Sequence, residues 1–132
     1  DLDLEIDRLQ RKIEHGARYV LTQPVFDEEI FLNFIKKANI GKTPIMVGIL
    51  PLASYRNAEF FHNEVPGMQV PDKIRDRFKS ISDKDKAIDL GVKIASEALS
   101  STAPYASGAY IMPPFGKAEL ALGVIDQFKN SN

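Results

Sequence analysis

Three short apolar runs, each stopped by proline, set the tightest limit on what this chain can fold into. Tyr19, Val20 and Leu21 lead through Thr22 and Gln23 to Pro24; Ile45 to Leu50, with Gly48 inside it, is closed by Pro51; Ala109 to Met112 is stopped by Pro113 and Pro114. Runs this short and apolar suit parallel strands, and the first reads as a strand buried on both faces. Proline has no N–H to donate to a ladder, so each strand ends where its proline stands.

Helical patterns fill the intervals. Leu2, Ile6, Leu9 and Ile13 recur at helical spacing before Gly16, which sits where a C-terminal cap belongs. Asp27 is placed to cap a second helix with Ile30, Phe31, Phe34 and Ile35 as its buried stripe, ending before Gly41. Ser54 caps a short helix holding Ala58, Phe60 and Phe61 that breaks at Pro66-Gly67, and Pro71 opens a further helical turn through Ile74 and Phe78. Ser82 and Asp85 read as a capping box for a long helix carrying Ala87, Leu90, Ile94, Ala98 and Leu99. Ser100 to Ser107 is small and polar, hence a loop, and Ala118 to Phe128 forms the last helix.

Helices alternating with short strands in this way argue for an α/β fold of parallel strands joined by crossover helices. A closed (β/α)8 barrel needs eight strands and about 250 residues. Three strands would make an open wedge of one, about three βα units with unpaired ladder edges, so residues 1–132 read as a single partial barrel domain.

Composition narrows the function. Lys and Arg number 17 against 18 Asp and Glu, and no stretch gathers the basic residues into the stripe that a phosphate backbone needs, which argues against nucleic acid. The absence of cysteine removes disulfides, thiolate nucleophiles and cysteine metal sites, in keeping with a reducing cytoplasm. His15 and His62 are isolated, so no metal site is expected. Asp1 to Glu5 is unlike a targeting segment, and no apolar run approaches the roughly 20 residues that cross a bilayer.

In parallel α/β folds, ligand-contacting residues collect just past the C-terminal ends of the strands. Gln23 stands there, and its carboxamide can read the mixed donor and acceptor edge of a heterocycle; the plainer alternative is a hydrogen bond to a neighbouring loop. Tyr55 offers a flat face for stacking, although an aromatic after a strand is more often packing. Glu5, Arg8, Arg11 and Lys12 form a polar helical stripe that is either a solvated face or a set of charge-assisted donors for phosphate and hydroxyl groups.

Four motifs in order draw these positions together: Arg11-Lys12 followed by Gly16-Ala17 and Thr22-Gln23-Pro24-Val25-Phe26-Asp27; Gly48-Ile49-Leu50-Pro51 with Ser54-Tyr55-Arg56-Asn57-Ala58; His62-Asn63-Glu64-Val65-Pro66-Gly67; and Tyr110-Ile111-Met112-Pro113-Pro114-Phe115-Gly116. From Arg8 to Phe128 the chain resembles the C-terminal part of the methylenetetrahydrofolate reductase barrel, closest to the branch that joins a homocysteine methyltransferase to the reductase. The resemblance implies an enzyme in which FAD takes hydride from NAD(P)H and passes it to 5,10-methylenetetrahydrofolate, giving the 5-methyl product. It implies that Glu5, Arg8, Arg11 and Lys12 hold the ribityl and phosphate region of FAD. It further implies that Gln23 contacts the pterin close to the flavin, that Tyr55 stacks on folate or nicotinamide, and that Tyr110 and Met112 complete the pocket. The family's acidic residues belong to earlier strands, so the site is expected to need those strands, from upstream or from a second chain, and an oligomer is open. Two alternatives stand beside a reductase segment: a folate- or flavin-binding module without catalysis, and an oligomerisation domain that keeps the fold.

Overall fold

The computed structural model describes all of residues 1–132. Helix α1 (Leu2–Glu14) leads to strand β1 (Val20–Pro24), α2 (Glu28–Ala38) to β2 (Ile45–Ile49), and α3 (Tyr55–Glu64), α4 (Asp72–Lys79) and α5 (Lys84–Thr102) to β3 (Gly108–Ile111), with α6 (Ala118–Ser131) last. Short 3-10 turns at Ala103–Tyr105 and Pro114–Gly116 flank β3. The three strands form one parallel sheet in the order β1-β2-β3, as the alternation of elements requires.

The caps explain most boundaries. Asp1 accepts from the amides of Asp3 and Leu4, Asp27 from that of Glu29, and Ser54 Oγ from that of Asn57 at 3.0 Å, each satisfying helix donors that have no partner within the helix. Asn39, left-handed at φ 43°, ends α2. Pro71 stands one residue before α4 rather than within it. The cap of α5 is Asp83, not Ser82: its carboxylate accepts from the amide of Lys86 at 2.9 Å. The expected loop from Ser100 is instead helix as far as Thr102, followed by the 3-10 turn. Thr102 is fully buried, and its hydroxyl donates back to the Ala98 carbonyl at 2.7 Å, so a polar residue completes the helix without an unpaired group.

The hydrophobic core has two parts. The larger joins one face of the sheet, through Val20, Ile45, Val47 and Ile49, to Phe31 of α2, Val92, Ala95 and Leu99 of α5, and Leu120 and Val124 of α6. The other lies past the strand ends and gathers Phe26, Leu50 and Leu52 with Ala58 of α3, Ile74 and Phe78 of α4, and Ile94 of α5. Gly91 is what lets α5 lie against the chain leaving β2, because a β-carbon there would fall 1.6 Å from the Leu52 carbonyl oxygen.

Helices cover only that face. Leu21, Met46 and Tyr110 alternate with the core positions and so stand on the other face, where Leu21 is 56% exposed. The expectation that β1 is buried on both faces therefore fails: of its five residues Val20 alone is buried, because β1 is an outer strand with one strand neighbour and one covered face. Ile30, expected in the buried stripe of α2, is likewise 54% exposed; Phe31 and Ala38 carry that contact, with Phe34 and Ile35 half-buried beside them. No helix is long and apolar enough to cross a membrane.

Candidate functional site at the strand ends

The uncovered face holds an irregularity in β1. Leu21 pairs with Met46 and Pro24 with Gly48, so three steps along β1 match two along β2, and the Thr22-Gln23 segment carries one extra residue. Hydroxyl groups replace the ladder there. Thr22 Oγ1 accepts from the Gly48 amide at 3.0 Å and donates to the Gln23 carbonyl at 2.7 Å, while the Tyr110 hydroxyl donates to the Thr22 carbonyl. Beyond the irregularity the Val25 amide rejoins β2 at the Gly48 carbonyl, 2.9 Å away.

Gly48 makes room for this bond. A β-carbon there would lie 2.8 Å from the Tyr110 hydroxyl oxygen and 3.0 Å from the Thr22 carbonyl oxygen, well inside van der Waals contact. Tyr110 is half-buried, and desolvation raises its phenol above the ordinary range, so the group remains a protonated donor.

The Thr22-Gln23 segment opens on a cleft of about 390 Å³ walled by Leu21, Pro24, Leu50, Phe61, Met68 and Met112, with Thr22, Gln23 and Tyr110 as its polar members. Three of the expected ligand-contacting residues, Gln23, Tyr110 and Met112, thus meet in one place. Gln23 is exposed, and its carboxamide makes no hydrogen bond to the protein. A small apolar cleft with one unspent carboxamide suits one end of a flat heterocycle, whose edge supplies the missing donors and acceptors. No carboxylate or histidine lines it.

Tyr55 is placed elsewhere. It lines a separate polar depression of about 220 Å³ with Glu59, Asp72, Arg75, Asp76 and Lys79. There Arg75 Nη1 meets Glu59 Oε1 at 2.6 Å while its Nη2 pairs with Asp72, and the hydrogen bond from Arg75 holds the Glu59 carboxyl below its ordinary range. The aromatic of α3 that lines the cleft with Gln23 is Phe61, six residues further along the helix. Helical periodicity puts the two on different sides of α3 but does not say which side meets the cleft.

Glu5, Arg8, Arg11 and Lys12 lie on the exposed face of α1, outside the cleft. Arg8 Nη1 is 2.6 Å from Glu5 Oε1 and Arg11 Nη2 is 2.6 Å from Asp7 Oδ2, whereas Lys12 has no acidic partner. Exposed pairs of this kind are worth about 0–1 kcal/mol, so the guanidinium groups can exchange their carboxylates for an anionic ligand at small cost. The donor set fits phosphate and hydroxyl groups of a flavin dinucleotide. No group of three His, Cys, Asp or Glu side chains is disposed to hold a metal ion.

Comparison with known proteins points to the family that the motifs suggested. Methylenetetrahydrofolate reductase 2 of Saccharomyces cerevisiae is 28% identical over 101 residues, covering 74% of this chain and 16% of the yeast protein. Methylenetetrahydrofolate reductase (NADH) 1 of Arabidopsis thaliana is 31% identical over 96 residues, covering 67% of this chain and 15% of its own length. A probable methylenetetrahydrofolate reductase (NADPH) of Caenorhabditis elegans is 32% identical over 82 residues, covering 61% and 12%. The chain thus spans about a sixth of the first two relatives. With the family pattern of methylenetetrahydrofolate reductase matching residues 1–108, the chain belongs to the methylenetetrahydrofolate reductase family.

Proposed function

We infer that this segment forms part of the folate and flavin site in an enzyme that reduces 5,10-methylenetetrahydrofolate to 5-methyltetrahydrofolate at the expense of NAD(P)H. The observation that carries the reading is the unspent Gln23 carboxamide at the mouth of an apolar cleft, at the C-terminal end of a parallel strand. Helices on one face of the sheet, with the cleft on the other, favour a wedge of a (β/α)8 barrel over a sheet wound on both sides.

FAD, when bound, supplies the hydride that passes to the folate and is replenished by the nicotinamide. The chain's own residues bind and orient. Gln23 pairs with the pterin edge next to the flavin, Phe61 and Met112 enclose the ring, and the ring of Tyr110 closes the wall. Arg11 and Lys12, with Glu5 and Arg8, take the phosphate and ribityl region. Since no acid lines the cleft, the proton donor comes from other strands of the barrel.

The test is a pair of half-reactions in the enzyme that carries this segment. Gln23→Ala and Gln23→Glu should slow oxidation of reduced flavin by the folate at least tenfold, the cost of leaving ligand polar groups unpaired, while flavin reduction by the nicotinamide keeps most of its rate. Equal losses in both would remove the pterin-specific role.

A further inference from the structure

We propose that Tyr110 is a positioning residue: its hydroxyl, bonded across Gly48 to the Thr22 carbonyl, fixes which residue of β1 is the extra one and thereby the direction in which Gln23 points. The proposal rests on the reading of Gln23 as a folate contact, and it concerns how that side chain comes to face the cleft.

Side chains on a strand alternate between faces, so moving the extra residue by one position would carry Gln23 to the opposite side. β1 has little else to prevent such a slip. It is an outer strand paired with β2 alone, and only Val20 anchors it in the core. The ladder is interrupted between Leu21 and Pro24.

Three groups from three adjacent strands select one arrangement. Gly48 supplies the gap, since any β-carbon there would come within 2.8 Å of the Tyr110 oxygen. Thr22 uses both capacities of its hydroxyl, accepting from the Gly48 amide at 3.0 Å and donating to the Gln23 carbonyl at 2.7 Å. The remaining carbonyl, that of Thr22, takes the proton of Tyr110. The bond links the two outer strands over the middle one, and a one-residue shift of β1 would turn the Thr22 carbonyl to the other side and break it. Burial of the phenol maintains it as a donor throughout the neutral and mildly alkaline range.

Tyr110→Phe keeps the ring in the cleft wall and removes only the hydroxyl. In the enzyme that carries this segment it should weaken binding of 5-methyltetrahydrofolate about tenfold. Added to Gln23→Ala it should cost nothing more, because a group that acts through Gln23 has no effect once Gln23 is gone. Hydrogen exchange supplies a second readout. The Gly48 and Val25 amides should exchange about tenfold faster in Tyr110→Phe while those of α5 keep their protection, and Thr22→Val should have the same local effect. Additive losses in the double variant, or exchange that rises equally everywhere, would overturn the positioning role. If Gln23→Ala by itself leaves folate binding intact, the folate reading falls, and the exchange of Gly48 and Val25 still decides whether Tyr110 holds the strand.

Discussion

Gly91, in the middle of α5, lies against the carbonyl of Leu52 so closely that a β-carbon at position 91 would fall 1.6 Å from the oxygen. Propensity alone favours alanine in a helix interior by about 1 kcal/mol, but here the neighbour is backbone and cannot rotate away. Gly91→Ala should therefore lower stability by about 3 kcal/mol or more, as an overpacked core does, and drop the urea midpoint. A raised midpoint would mean that propensity wins and α5 does not press on the chain leaving β2.

Asp27 does two things at once: Oδ1 caps α2 through the Glu29 amide at 2.9 Å, and Oδ2 meets Lys73 Nζ of α4 at 2.7 Å, with only 12% of the side chain exposed. The hydrogen bond from Lys73 holds the carboxyl below its ordinary range. A lowered folded pKa stabilises the protein at pH above the unfolded value of about 3.9. That contribution disappears as pH falls through the folded value. Asp27→Asn keeps the cap and loses the ion pair, so it should be less stable than the parent at pH 7 and the difference should shrink below about pH 4. Parallel denaturation series at the two pH values measure it, and a difference independent of pH would leave no role for the charge.

Phe61 and Tyr55 are both aromatic and lie on the same helix, yet only Phe61 lines the cleft with Gln23. Phe61→Ala should weaken binding of 5-methyltetrahydrofolate to the enzyme by about tenfold, the loss of one buried stacking contact. Tyr55→Ala, which removes the ring, should leave it within twofold. The reverse order, read by fluorescence titration of the two variants, would return the stacking role to Tyr55.

Arg11 and Lys12 are exposed, and neither contributes to the core. Arg11→Ala with Lys12→Ala should change thermal stability of the unliganded protein little, within about 0.5 kcal/mol, while the purified enzyme loses FAD on dilution. Retention of the parent flavin-to-protein absorbance ratio would remove α1 from the cofactor site.

The alternation of elements was legible because prolines and caps mark it directly: Pro24, Pro51 and Pro113 at the strand ends, Asp27 and Ser54 at the helix starts. What the residues alone could not show was which face of an element meets protein. Leu21 and Ile30 are apolar, and apolarity promised burial, but no layer covers the side of the sheet or helix on which they stand. Thr102 misled in the opposite sense, since a run of small polar residues reads as loop unless each hydroxyl can find a helix carbonyl, as this one does. Gln23, Tyr110 and Met112 were traceable to the site because strand ends converge in a parallel sheet. Phe61 was not singled out, because its turn toward the cleft depends on how α3 packs. The bond from Tyr110 to Thr22 spans 88 residues and depends on the register of three strands, which no local pattern encodes.

The spatial order of the strands follows their order in the chain. Each crossover has only to return to the strand just made, so the sheet can grow one neighbour at a time, with modest loop-closure entropy at each step. The Tyr110 hydroxyl, carried on the last strand, reaches back over the second to the first. Its bond cannot form before all three have docked, so the aim of Gln23 is settled at the final step of assembly. A chain caught partway could hold β1 and β2 together and still present the carboxamide in the wrong direction.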